Sequence, residues 1–113
     1  MALRDLRFEG DPVLLQTAAP VSSFGDDLAV LVKDMFETMY DAPGRGLAAP
    51  QVGVSQRVFV VDTTWKEADP TPMLFVNPQI TARSEEEQVG TEACLSIPGK
   101  SFDVVRPLWI EVT

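Results

Sequence analysis

The chain has 113 residues, with 17 acids against nine bases, one cysteine, no histidine and a formal charge of −8. That length holds one small domain able to bury about 65% of its unfolded surface, and the 45% apolar share argues against disorder. The acidic balance repels phosphate backbones, a single cysteine closes no internal disulfide, and the lack of histidine removes the commonest metal ligand and general base. Nothing approaches a membrane-spanning apolar run, and the opening MALRDLRFEGD lacks the core of a signal peptide. A cytoplasmic chain with no direct nucleic-acid or membrane partner is therefore expected.

The first twenty residues read as an arm, punctuated by Asp11-Pro12 and Pro20, with Val13, Leu14 and Leu15 free to pack. Ser22 or Ser23 is expected to cap the helix that follows, with Asp26 and Asp27 complementing its dipole. Leu28, Leu31, Val32, Met35, Phe36 and Met39 recur at helical spacing, which predicts a helix over 28–39 lying on a core. Lys33, Asp34 and Glu37 would then face outward, and Asp41-Ala42-Pro43-Gly44 stops the helix.

Gly44 to Val54 is too glycine-rich and proline-broken for a helix. Arg57 to Asp62 reads as a strand, Lys66 to Pro72 as a polar loop and Met73 to Val76 as a second strand, with pairing resumed at Gln79 to Thr81. The acidic stretch Ser84 to Gln88 is expected to be a solvated turn or strand edge. Two further β stretches follow, Phe102–Val105 and Leu108–Val112, and the alternation in the last predicts a half-buried strand. One helix followed by several short strands gives an α+β fold in a single domain, 1–113. One helix cannot cover at least five strands, so the chain reads as unfinished.

Two segments could carry chemistry. GRGLAAPQ, Gly44 to Gln51, offers glycines that let a ligand's backbone approach and a carboxamide that both donates and accepts. Spacing alone favours a tight turn entering a buried strand, and no Lys-Ser or Lys-Thr follows to make a phosphate loop. In Glu92-Ala93-Cys94-Leu95-Ser96 the cysteine reads as a small buried hydrophobe, a nucleophile or a metal ligand. A nucleophile lacks a histidine partner here, and a metal site needs about three ligands where the chain offers one soft one. Glu92 and Arg106 form a pair or are two unrelated surface charges.

Together the two segments are specific. GRGLAAPQVGV followed by EACLSIPG resembles the peptide deformylases, which carry G-x-G-L-A-A-P-Q and then E-G-C-L-S. The likeness extends over nearly the whole chain, through the arm, the Met39-Tyr40 helix end, the RVFVVD and FVNPQI strands and the Arg106-Pro107 pair. The resemblance implies a fold of one N-terminal helix and short, mostly antiparallel strands, here without the central metal-binding helix.

It further implies that Cys94 is a metal ligand and that Gln51, through its side-chain amide, and Leu95, through its backbone N–H, hold the formyl oxygen during catalysis. Gly44, Arg45, Gly46 and Ala93 fall on the segments that pair with substrate backbone, and Glu92 with Arg106 steadies the cysteine loop. The implied activity is metal-dependent hydrolysis of the N-formyl group from the initiator methionine of nascent chains. Its metal is ferrous iron, with zinc or nickel as substitutes, and its partners are formylmethionyl peptides and, transiently, the ribosome in a bacterial or organellar compartment. Ala93 stands where the family has glycine, and Arg45 where it has an apolar residue near the methionine pocket. The family's third motif, H-E-x-x-H, is missing, which accounts for the zero histidine count and the uncovered strands. These residues alone are then expected to hold metal weakly or not at all. An inactive binding module, or half of a split assembly that self-associates through its exposed sheet face, is the alternative expectation.

Overall fold

A computed structural model describes residues 2–113. The apolar stripe produces helix α1, Asp26–Asp41, with Leu31, Met35 and Met39 buried along one side and Asp26 and Asp27 in the first turn. The expected serine cap is corrected: Gly25 takes the N-cap position in extended conformation, and no side chain caps the helix. Asp34 is corrected as well, being 5% exposed rather than outward. The Ala2 N–H (2.8 Å) and the Arg4 guanidinium (2.9 Å) donate to its carboxylate, while the Arg4 N–H donates to Thr38 Oγ1 at 3.0 Å. The N-terminal arm thus covers a polar strip of α1 that flanks the face meeting the core.

α1 packs on a three-stranded antiparallel sheet of β1 (Gly46–Ala48), β2 (Val58–Val61) and β3 (Met73–Val76), with β2 in the middle. Leu47, Val58 and Val60 point inward and join Val21, Leu31, Met35, Met39, Ala49 and Val52 in the core. On the other face Phe59 stacks on its directly opposed neighbour Phe75, with ring centroids 4.5 Å apart. Such cross-strand aromatic pairs are the local unit of sheet stability. Between β1 and β2 lies a 3₁₀ turn, Ala49–Val52, with Pro50 in its first turn and Gly53 as its C-cap at φ +84°. Asn77, at φ 51°, exchanges two side-chain hydrogen bonds with the backbone of Val21 and so ties the arm's end to the sheet.

The remaining strands form two separate antiparallel pairs: β4 (Ile80–Arg83) with β7 (Ile110–Val112), and the long hairpin β5 (Glu87–Cys94) with β6 (Ile97–Pro107). The acidic stretch therefore runs into β5, and the β stretch expected at 102–105 is the middle of an eleven-residue strand. The half-buried strand expected at 108–112 is corrected: Leu108, Trp109, Ile110 and Val112 are exposed, because among the described residues only β4 pairs with β7 and nothing covers it. Among the described residues no helix is long and apolar enough to cross a membrane.

Candidate functional site

The chain leaves α1 through a cis Ala42–Pro43 bond into buried Gly44. A Cβ at Gly44 would lie 2.7 Å from Leu95 Cδ1, so the glycine lets Leu95 rest where it does and any larger residue would push that side chain aside. From another side, Trp65 Nε1 donates to the Gly44 carbonyl (2.9 Å) and Lys66 Nζ to the Pro43 carbonyl (3.2 Å).

Trp65 is itself placed by Asp62, at the end of β2, which is 0% exposed. Asp62 accepts from Tyr40 Oη (2.6 Å) and from the N–H groups of Thr64, Trp65 and Thr71, each at 3.1 Å. Burial alone would raise its carboxyl pKa, but these hydrogen bonds, led by that of Tyr40, outweigh burial and hold it below the ordinary value. Burial and the bond to Asp62 push the Tyr40 phenol up to about 12.

Gln51 sits in the 3₁₀ turn. Its Oε1 accepts from the Ala48 N–H (3.0 Å), which fixes the amide so that Nε2 faces the cysteine loop. There Nε2 donates to Ser96 Oγ at 3.1 Å and stands 3.7 Å from Cys94 Sγ. The arm staples both segments from behind: the Arg7 N–H donates to the Gln51 carbonyl (2.7 Å) and the Glu9 N–H to the Ser96 carbonyl (2.8 Å).

Cys94 is exposed and ends β5, and Leu95-Ser96 is the two-residue turn into β6. Ala93 pairs with Ser101 whereas Cys94 pairs with Ile97, so Pro98, Gly99 and Lys100 bulge out of the ladder, with Gly99 at φ +77°. Bulges of this kind re-aim side chains beside binding sites.

These pieces enclose an open cleft of about 830 Å³. Of the residues nominated from sequence it brings together Gly44, Arg45, Gly46, Gln51, Ala93, Cys94 and Leu95. Gly46 presents its backbone there. The Asp62 N–H donates to the Arg45 carbonyl (2.9 Å), which makes Gly46 and Val61 a non-hydrogen-bonded pair with the Gly46 N–H and C=O turned away from β2. Arg45 is exposed and ion-pairs with Glu67.

Glu92 and Arg106 lie outside the cleft lining and are joined by two hydrogen bonds, 2.9 and 2.7 Å, which clamp β5 to β6. The Arg106 guanidinium holds the Glu92 carboxyl below its ordinary pKa, and Glu92 raises that of Arg106. The sequence reading missed Ser96, Asp62, Tyr40, Trp65, Lys66 and the arm as parts of this site. Only Ser96, inside the cysteine segment, carried any local signal.

The donor set does not fit a resident metal ion. Cys94 offers one thiol, no histidine is present, and no group of three or more His, Cys, Asp or Glu side chains converges among the described residues. A catalytic metal needs about three protein ligands.

Residues 4–113 match the family model described as polypeptide deformylase. A peptide deformylase of Acidothermus cellulolyticus is 53% identical over 94% of the chain, and one of Synechocystis 47% identical over 96%. The chain spans 56% and 58% of the length of these two curated relatives. Among solved structures, the peptide deformylase of Thermotoga maritima superposes with a TM-score of 0.91 at 41% identity, over 97% of this chain and 71% of that one. That of Synechococcus elongatus, in complex with actinonin, gives 0.92 at 41% identity, over 96% of this chain and 59% of that one.

Proposed function

The chain belongs to the polypeptide deformylase family, and from that membership we propose that it binds N-formylmethionyl peptides and serves the hydrolysis of their formyl amide. The observation that carries the proposal is the Gln51 carboxamide in the cleft lining, locked by Ala48 so that its N–H groups face Cys94 and the buried Ser96. A formyl oxygen placed there accepts from Gln51 Nε2 and from the Leu95 N–H in the adjoining turn. Donors fixed before the reaction favour the charge that develops on that oxygen, each by about 3 kcal/mol.

The peptide following the formyl group lies extended. β1 is the edge strand of its sheet, and the outward N–H and C=O of Gly46 offer it two main-chain hydrogen bonds. Gly44, Arg45 and Ala93 complete that wall. Glu92 and Arg106 hold the hairpin so that Cys94 and Leu95 keep their place. Residues 1–113 act in this scheme as one domain.

The family is metal-dependent, and ferrous iron, or zinc or nickel in its place, is the metal the resemblance implies. Cys94 would be one ligand, and the others would have to come from outside these residues. The partners in this scheme are nascent formylated chains and, briefly, the ribosome, in the cytoplasm of a bacterium. Copies would associate through the exposed apolar faces of β5–β6 and β4–β7, a point sedimentation velocity decides.

Peptide binding tests the central proposal. The chain should bind N-formyl-Met-Ala-Ser more tightly than its N-acetyl counterpart, and that preference should fall in Gln51→Ala; formate release is expected only where the remaining metal ligands are supplied. Equal binding of the two peptides overturns it.

A further inference from the structure

The chain carries 17 acids and nine bases, yet no acidic residue lines the cleft, while Arg45, Lys66 and Lys100 all do. A third of all the basic residues are gathered at one site of a strongly acidic protein. From this juxtaposition we infer that the cleft selects acidic peptides, its lysines pairing with Asp or Glu side chains downstream of the formylated residue. The inference rests on the proposed peptide-binding role and adds a substrate class to it.

The three cations are not equivalent. Arg45 is ion-paired with Glu67, so much of its charge is already answered. Lys66 and Lys100 form no ion pair among the described residues. Lys66 is held in place, its ammonium 5.5 Å from the centre of the Trp65 ring and 3.2 Å from the Pro43 carbonyl, which leaves it further N–H donors. Lys100 is carried to the cleft by the Pro98–Lys100 bulge rather than by regular pairing.

A peptide with its formyl group at Gln51 and Cys94 must send its following side chains into this space, whose charged walls are cationic. A free carboxylate gains contacts with both lysines, whereas an ammonium meets two like charges. The protein's net charge acts in the opposite sense at long range, repelling anions. A preference for acidic peptides would therefore report the local walls and not the overall field.

The test is binding of three C-terminally amidated, dye-labelled peptides, N-formyl-Met-Ala-Ser followed by three glutamates, alanines or lysines. At about 0.15 M salt the Debye length of about 8 Å damps the long-range repulsion while close pairs persist. The glutamate peptide should bind about fivefold more tightly than the alanine peptide, and the lysine peptide more weakly than either. The preference should shrink at about 1 M salt. Lys100→Glu, on an exposed bulge, should cut the glutamate-to-alanine ratio, and adding Lys66→Glu should reverse it.

Equal binding of the three formylated peptides, or a ratio unmoved by both substitutions, overturns the inference while leaving formyl-peptide binding intact. Failure of every formylated peptide to outbind its N-acetyl form overturns the underlying role as well. Displacement of the glutamate peptide by a short RNA of equal charge, at equal concentration, would assign the cations to phosphate instead and likewise overturn it.

Discussion

Gly44 and Leu95 are in contact so close that a single methyl group on the glycine would come within 2.7 Å of the leucine side chain. This contact seats the turn after α1 against the turn that follows Cys94, and both residues line the cleft. Gly44→Ala should therefore destabilise the chain by about 1–3 kcal/mol through overpacking and weaken formyl-peptide binding. Shortening the partner, Leu95→Ala in the Gly44→Ala background, should recover part of both losses. Urea denaturation of the double-mutant cycle, with a coupling of about 1 kcal/mol or more, checks it; additive effects would show that the contact does not matter.

Gln51 and Ser96 can be separated by substitution. Gln51 is the proposed donor, whereas Ser96 only accepts from it, and the carboxamide keeps its tie to Ala48 when Ser96 is removed. In a metal-loaded protein that supplies the remaining ligands, Gln51→Ala should slow formate release about a hundredfold, chiefly in kcat, as loss of one oxyanion donor does. Ser96→Ala should cost about fivefold, the worth of one neutral hydrogen bond. Steady-state kinetics on both variants decide the matter, and equal losses would mean that Gln51 acts only as a strut.

What could be seen in the sequence was what depends on near neighbours. The spacing of Leu31, Met35 and Met39 reports their common face directly, and Met73–Val76 is a strand bounded by prolines at 72 and 78. The two motifs named Gln51 and Cys94, and the fold brings them within 3.7 Å. Asp34 misled because its partners, Ala2 and Arg4, lie about thirty residues away and no periodicity marks them. Asp62 read as the end of a strand, since its role depends on donors from Tyr40 and Thr71 that only folding assembles. Lys100 was invisible for another reason: Pro98-Gly99 announces a turn, but the register that ejects it into the cleft is fixed by pairing across the hairpin.

The arm links α1 to the two segments that carry Gln51 and Cys94. Asp34 anchors residues 2 and 4, and residues 7 and 9 then donate to Gln51 and Ser96. Asp34→Ala should release the first anchor and leave the Ala2 and Arg4 donors to water. Hydrogen exchange at the Arg7 and Glu9 amides should speed up, and formyl-peptide affinity should fall although Asp34 does not line the cleft. Unchanged exchange at those two amides would show that the staples hold without the anchor.

Tyr40 and Asp62 make the pH dependence of stability a test of the same framework. The Asp62 carboxyl is held below its ordinary 3.8, so its stabilisation is complete above about pH 4 and is lost as pH falls through the folded value. The Tyr40 phenol is raised from 10.0 to about 12, so its stabilisation is complete below pH 10 and is lost as pH rises towards 12. Tyr40→Phe keeps the ring that stacks on Phe36 and meets Trp65 edge-on, and removes only the hydroxyl. It should cost about 1.5 kcal/mol at pH 7, the worth of a hydrogen bond to a charged acceptor. The alkaline loss between pH 10 and 12 should flatten. The acid loss should begin at higher pH, because Asp62 has then lost the donor that does most to keep its proton off. Thermal melts from pH 3 to 12 measure both limbs, and a variant whose acid and alkaline limbs match those of the parent chain would show that the hydroxyl and the carboxylate are not coupled.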